Sequence, residues 1–228
     1  MKKGKLIVLD GGDGSGKATQ TALLVKKLKS EKIKVKTLDF PQYDSNFFGS
    51  FIGACIRGEH GDFVKTDPYI ASVLYAADRF ESKKKIEGWL SKGNTVVLDR
   101  YVSANQMHQG GKIQDSKKLK EFLTWLDTME FSVFKLPRPD VIVYLDVPVH
   151  TSTKLLSGAQ SKKTYLKGKK DQTETNTKYL EDSRKGALSI IKKENNWKKI
   201  NCIFRGEMKS KEDIQEEVWS VVKEIIKK

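Results

Sequence analysis

The residues with the clearest chemical capacity form one run near the amino terminus, Gly11-Gly12-Asp13-Gly14-Ser15-Gly16-Lys17-Ala18-Thr19. Gly11, Gly16 and Lys17 fit the spacing G-x-x-x-x-G-K. In that pattern glycines let backbone N–H groups wrap phosphate oxygens, a helix N-terminus adds partial positive charge, and the lysine reaches the outer phosphates. The hydroxyl residue that usually follows the lysine and binds magnesium is Ala18 here, so metal coordination falls to other side chains, while Thr19 keeps a donor for a phosphate. A second group, Asp99-Arg100-Tyr101, follows the apolar run Val96-Val97-Leu98. A carboxylate at the end of a buried strand beside such a loop suits magnesium, directly or through water, and the arginine suits a bridge between two phosphates. Tyr75 and Arg79 stand four apart in a helical stretch, which puts a stacking surface and a planar fork side by side, as a nucleobase would need.

Such groups need elements to hold them. Short apolar, β-branched runs at 6–9, 35–40, 95–98, 141–145 and 200–204 predict five buried strands. Helical periodicity lies between them, as in Ile70, Val73, Leu74 and Ala77, and again in Ile214, Val218, Val221, Val222 and Ile225. This alternation predicts an α/β fold, a mostly parallel sheet covered on both faces with ligands at the carboxyl ends of its strands. The glycine loop sits at such an end, since Leu23, Leu24 and Leu28 begin a helix directly after it. The stretch 157–176 is polar, rich in Lys and Gly and almost without apolar residues, so it predicts a mobile loop or lid that buries no core.

The 228 residues suffice for one domain spanning 1–228 with its own core. A hydrophobic fraction of 38% beside 32% charged residues fits a globular chain, and no apolar run approaches the roughly 20 residues of a membrane-spanning helix, so the expected setting is cytoplasmic with no membrane partner. Cys55 and Cys202 lie far apart without metal-ligand spacing and predict buried free thiols. The net charge of +14 invites a nucleic-acid reading, but the lysines are scattered over nearly every helical stretch rather than drawn into one stripe, so no specific nucleic acid is expected. The few arginines, among them Arg79 and Arg100, mark places where a bidentate fork is required.

Taken together the residues closely resemble the thymidylate kinases of the P-loop nucleoside monophosphate kinase class. The landmarks run through nearly the whole chain: the glycine loop, Phe40-Pro41-Gln42-Tyr43, Glu59-His60-Gly61-Asp62, Ala77-Asp78-Arg79, Asp99-Arg100-Tyr101-Val102-Ser103-Ala104-Asn105 and Pro137-Arg138-Pro139-Asp140. The resemblance implies a five-stranded parallel sheet, a homodimer, a lid over about 157–176 that closes on ATP, and transfer of the ATP γ-phosphoryl group to dTMP with Mg2+. It implies that Gly11 to Thr19 hold ATP, with Lys17, Arg100 and Asp13 catalytic. Asp13, Phe40, Tyr43, Tyr75, Arg79, Arg100 and Asn105 would take dTMP: Asp13 at the sugar hydroxyl or metal, Tyr75 stacking on thymine, Arg79 at the base edge, Asn105 as another contact on the thymine side, and Phe40, Tyr43 and Arg100 at the sugar and acceptor phosphate. Asp99, Asp13 and Glu174 are the candidate metal ligands, with Glu174 helping where Ala18 cannot.

The chain also departs from the family pattern. Tyr75 replaces the usual Phe, Gln42 stands where many members carry Arg, and the lid offers Lys162, Lys163, Lys167, Lys169 and Lys170 in place of arginines. Adenine contacts are expected near 205–208. Phosphoryl transfer then relies on alignment and charge neutralisation by Lys17, Arg100, lid lysines and magnesium, with no general base. Two other readings stay open at this point: a kinase for a different nucleotide or nucleoside, and a basic nucleic-acid-binding protein with a decayed P-loop.

Overall fold

A computed structural model of the chain describes residues 3–157 and 164–227. Its centre is β1 (Leu6–Gly11), buried along its whole length. β1 pairs in parallel with β3 (Thr95–Asp99) on one side and β4 (Val141–Asp146) on the other. β2 (Val35–Asp39) and β5 (Trp197–Asn201) form the edges, giving a five-stranded parallel sheet in the order β2-β3-β1-β4-β5. The chain steps from β1 toward β3 and β2 in one direction and toward β4 and β5 in the other. The carboxyl end of β1 is therefore a topological switch point, where a crevice opens in such sheets.

Alternation along the strands divides the core in two. Leu6 and Val8 face a layer built with Ile86 and Leu90 of α4 (Lys83–Ser91), Met107 of α5 (Val102–His108) and Ala187 and Ile190 of α8 (Thr177–Ile191). Ile7 and Leu9 face the opposite layer, with Leu24 and Leu28 of α1 (Lys17–Ser30) and Ile214, Val218 and Val222 of α9 (Lys211–Lys227). The periodicity expected of α9 is thus the one used.

The fifth strand departs from expectation. It covers Trp197–Asn201, not 200–204. Trp197 and Ile200, an odd number of residues apart, bury on opposite faces while Lys198 and Lys199 stay exposed, as an edge strand allows. Ile203–Phe204 instead pairs antiparallel with Glu207–Met208 (β6 and β7), closed by Arg205 and Gly206 at positive φ.

The first helical stripe is also corrected. In α3 (Pro68–Glu81) Ile70 and Val73 are 59% and 39% exposed, whereas Ala71, Ser72, Ala76, Asp78 and Arg79 are buried. The inner side of α3 packs on α2 (Phe47–Ile56) and the cleft described below, so small and charged residues turn inward, Ile70 and Val73 are left outside, and of the apolar stripe Leu74 packs against Ile52 and its neighbours. Asp67 starts this helix by accepting the N–H groups of Tyr69 and Ile70, with Pro68 in the first turn.

The polar stretch that was expected to bury nothing is, in its described part, packed. Leu166 and Asp171 are buried, Arg57 donates to the Tyr165 carbonyl at 2.6 Å, the Gln172 side-chain oxygen accepts the Phe63 N–H while its backbone N–H donates to the Ile56 carbonyl, and Tyr165 stacks on Tyr43 at 3.9 Å. Few apolar residues are needed where side-chain amides and guanidinium groups satisfy the loop backbone. The rest of the expected lid, including Lys162 and Lys163, lies outside the described residues. Both cysteines are buried free thiols.

Candidate active site

The carboxyl end of β1 feeds directly into the glycine loop. Gly14 has φ 77, and a Cβ there would come within 2.3 Å of the Ser152 carbonyl of α7 (Val149–Ser157), so only glycine passes. Gly16, at φ 88, caps α1 and turns the first free N–H groups of that helix into the crevice. Lys17 Nζ lies back across the loop, donating to the carbonyls of Gly11 at 3.0 Å and Gly12 at 2.8 Å. Burial, and after it the Arg100 charge, push the Lys17 pKa down, against the pull of Asp13, Asp99 and Asp10.

Parallel pairing brings the second cluster to the same place. Leu9 is in register with Asp99, so Arg100 follows β3 at the level of the loop, held by its N–H on the Leu9 carbonyl at 2.9 Å. Arg100 has φ 66, a left-handed conformation that costs a non-glycine residue about 1–3 kcal/mol and persists only where its surroundings hold it. They do so here. Its guanidinium pairs with Asp13 of the loop, lies 3.9 Å from buried Asp10, and donates to His108 Nε2 at 3.0 Å. Because Nε2 must accept from a guanidinium, His108 carries its proton on Nδ1 and donates it to Ser183 Oγ at 3.1 Å, which in turn donates to the Tyr179 carbonyl. Burial and then Arg100 hold the His108 imidazole down to about 3, and its ring stacks on Tyr179.

The base-side residues come from two helices. Tyr75 and Arg79 do share the inner side of α3, and Asn105 faces them from α5. Arg79 is 2% exposed and engages fully buried Glu130 through Nε at 3.0 Å and through Nη2, while Nη1 donates to the Tyr101 carbonyl. Asn105 Nδ2 donates to the Ser72 carbonyl and to the same Glu130 oxygen, both at 3.1 Å. Phe40 lies against Tyr101, and Tyr43 is covered by Tyr165.

All of these open on one continuous cleft of about 810 Å³. Asp13, Gly14, Ser15, Gly16, Lys17, Ala18 and Thr19 line one end, and Phe40, Tyr43, Tyr75, Arg79, Arg100 and Asn105 line the other. Gly11 and Gly12 do not reach the wall and act through their carbonyls on Lys17. Met208 to Glu212 border the cleft at the loop end, while Arg205, where adenine contacts were expected, does not; its guanidinium lies over Phe204 on the hairpin. Of the lid lysines within the described residues, Lys167, Lys169 and Lys170 do not line the cleft, and Lys169 pairs at 3.3 Å with Glu59, which also pairs with Arg57.

Asp99, Asp13 and Glu174 all touch the cleft, but among the described residues no three acidic, His or Cys side chains form a group able to hold a metal. The expected three-carboxylate set is therefore not a preformed cage. Asp99 has the character of a magnesium ligand: it is half-buried, its carboxylate accepts no hydrogen bond from the described residues, and burial raises its pKa against the pull of Lys17 and Arg100. One hard oxygen ligand beside a phosphate site fits the way Mg2+ is held with substrate oxygens.

Several lining residues escaped the reading of the chain. His108 was discoverable, three residues after Asn105 on one helix face. Tyr165 and Tyr179 reach the cleft only through tertiary packing, and Glu130, which holds Arg79 from behind the wall, comes from a π-helical turn (Thr128–Val133) that no local pattern announces.

A glycine loop at the switch point of a parallel sheet, joined by one cleft to a base-sized pocket, defines a P-loop nucleotide-binding α/β protein. The thymidylate kinase family model matches residues 9–222, and the chain belongs to the thymidylate kinase family. It is 35% identical to the thymidylate kinase of Plasmodium falciparum over 147 residues, which are 64% of this chain and 63% of that protein, so the match spans just under two thirds of that relative's length. It is 29% identical to a probable thymidylate kinase of Pyrococcus abyssi over 222 residues, 97% of each chain. The fold matches that of the thymidylate kinase of Candida albicans with a TM-score of 0.72 at 22% identity, covering 97% of this chain and 92% of the other.

Proposed function

We propose that this protein transfers the γ-phosphoryl group of ATP to dTMP, giving ADP and dTDP. The observation that carries this reading is the single cleft whose two ends are a phosphate-wrapping loop and an aromatic, hydrogen-bonding base pocket, with Arg100 between them. ATP lies along Asp13 to Thr19 with its adenine toward Met208 to Glu212, and dTMP lies against Phe40, Tyr75, Arg79 and Asn105. An oxygen of the dTMP phosphate attacks the γ-phosphorus as the bond to the β-phosphate oxygen breaks. Lys17 and Arg100 neutralise charge on the transferring group, and no general base is needed because the acceptor phosphate is already ionised. Asp99 would hold Mg2+, which when bound would supply further charge neutralisation. The described part of the stretch 164–176 covers the acceptor end through Tyr165, Asp171 and Thr173, which supports its assignment as part of a lid.

An ADP-release assay with Mg2+ over dTMP, dUMP, dCMP, dGMP and AMP tests the reading. Highest kcat/KM with dTMP is expected, and preference for another acceptor overturns the substrate assignment. We also propose a homodimer joined through α2 and α3, supported by Phe47, Phe51, Ile70, Val73 and Phe80, which leave an apolar face exposed on two adjacent helices. Light scattering should give twice the chain mass of 25.9 kDa.

A further inference from the structure

We infer that Glu130, although its side chain is sealed from solvent, sets the pyrimidine preference of this cleft by dictating which hydrogen-bonding groups Asn105 and Arg79 present to the base. The inference rests on the acceptor pocket assigned above and adds to it a positioning residue. Glu130 is 0% exposed and sits in the π-helical turn Thr128–Val133 that follows α6 (Ser116–Asp127). Such turns displace one side chain from the helical row, and here the displaced carboxylate meets α3 and α5 from behind.

Its consequences follow from counting donors and acceptors. The Asn105 amide nitrogen has two N–H groups, and both are taken, one by the Ser72 carbonyl and one by Glu130 Oε1. Both partners are pure acceptors, so the amide cannot turn over. Asn105 therefore offers the cleft only its side-chain carbonyl oxygen, for which there is no partner among the described residues, and the residue lines the cleft. Arg79 is locked by the same carboxylate. Nε and Nη2 bond Glu130, and Nη1 donates to the Tyr101 carbonyl, which leaves one N–H on each terminal nitrogen of the five. Arg79 Nη2 and Asn105 Nδ2 meet on one oxygen, Glu130 Oε1, so the two side chains lie against one another.

The pocket wall thus pairs an acceptor with an adjacent donor, and the complement is a ring edge with an N–H beside a carbonyl. Thymine and uracil present that edge at N3 and C4, whereas cytosine presents a bare ring nitrogen beside an amino group and meets acceptor with acceptor and donor with donor. With an amide in place of the carboxylate, one of the two oxygens becomes an NH2 group. Where Oε1 is the one replaced, Arg79 Nη2 and Asn105 Nδ2 both lose their acceptor and Asn105 is free to turn its own NH2 toward the cleft; where Oε2 is replaced, Arg79 Nε meets a donor and the guanidinium is released from its fork.

The test is calorimetric binding of dTMP, dUMP and dCMP without ATP to the full chain and to Glu130→Gln, so that it stands whether or not turnover occurs. A discriminating pair of this kind is worth about tenfold or more. The dTMP over dCMP preference should fall at least about tenfold in the variant, while the dTMP over dUMP ratio, which depends on the methyl group and not on this edge, stays within about threefold. ADP affinity at the loop end should also stay within about threefold. An unchanged dTMP over dCMP ratio overturns the inference, and so does an equal loss for all three pyrimidines. Glu130→Asp, which keeps the charge one methylene short, carries the same test if Glu130→Gln does not fold. In the unaltered protein dTMP methylated at N3 should bind no better than dCMP, and binding equal to that of dTMP overturns the inference whatever the variants do. Absence of dTDP formation by a protein that binds as expected counts against the kinase reading and leaves this one standing.

Discussion

The two ends of the cleft are built in opposite ways. The loop end comes from one contiguous run, Asp13 to Thr19, and works mainly through main-chain N–H groups, a helix terminus and one lysine. The base end is collected from five places: the end of β2, α3, the end of β3, α5 and the π-helical turn, with α8 behind it. At the loop end the backbone is the ligand, so a short motif is a complete specification. At the base end side chains are the ligand, and each needs a partner elsewhere to hold its rotamer. Arg79 needs Glu130, and Arg100 needs Asp13 and His108.

If that contrast is right, the loop end should fail through a single residue. Lys17→Ala is expected to lower kcat by about 10³-fold, roughly 4 kcal/mol of transition-state stabilisation, with dTMP affinity little changed, as steady-state kinetics beside dTMP titration will check. Turnover near that of the parent would remove Lys17 from the chemistry.

The base end should instead fail through loss of arrangement. Arg100→Lys keeps the charge but cannot reach Asp13 and His108 together, so a loss of about 10²-fold in kcat/KM is expected, and activity within about threefold of the parent would show that charge alone suffices.

His108 gives that arrangement a pH signature. Its imidazole is held down to about 3 in the fold against 6.5 ordinarily, so between those values the unfolded chain binds the proton and the folded one does not. This contribution to stability is complete above about pH 6.5 and is lost as pH falls toward 3, by an amount on the order of a few kcal/mol. Urea unfolding of the parent and His108→Gln across that window should show a shallower slope for the variant, and parallel slopes would remove His108 as the cause.

The smallest effect is expected at Tyr75. Among the described residues no hydrogen bond involves its hydroxyl, and its ring leans on Phe63, so Tyr75→Phe should leave the KM for dTMP within about twofold while Tyr75→Ala raises it about tenfold. A large effect of the conservative change would mean that the hydroxyl, not the ring, meets the base.

The legibility of the chain follows the same division. Strands β1, β3 and β4 are continuous apolar runs because they are buried on both faces, and they were readable for that reason. β5 was displaced because Lys198 and Lys199 interrupt the run, and an edge strand tolerates them. α9 buries its apolar stripe, but α3 leaves Ile70 and Val73 outside and turns Asp78 and Arg79 in. Periodicity reports that a helix has two unlike sides. It does not report which side the tertiary structure covers.

What the sequence determined by itself is the strand, glycine loop and helix that receive phosphate, together with the identities of Tyr75, Arg79, Arg100 and Asn105 as candidates for the other end. Loop geometry is a local matter of backbone torsion, which residue type controls directly. The tertiary structure decided how those candidates are aimed. Parallel register set Asp99 beside Leu9, and a carboxylate from a distant turn, with the Ser72 carbonyl, consumed the donors of Asn105 and took two of those of Arg79. Those choices depend on which buried groups must satisfy one another, a condition that exists only once the chain is folded.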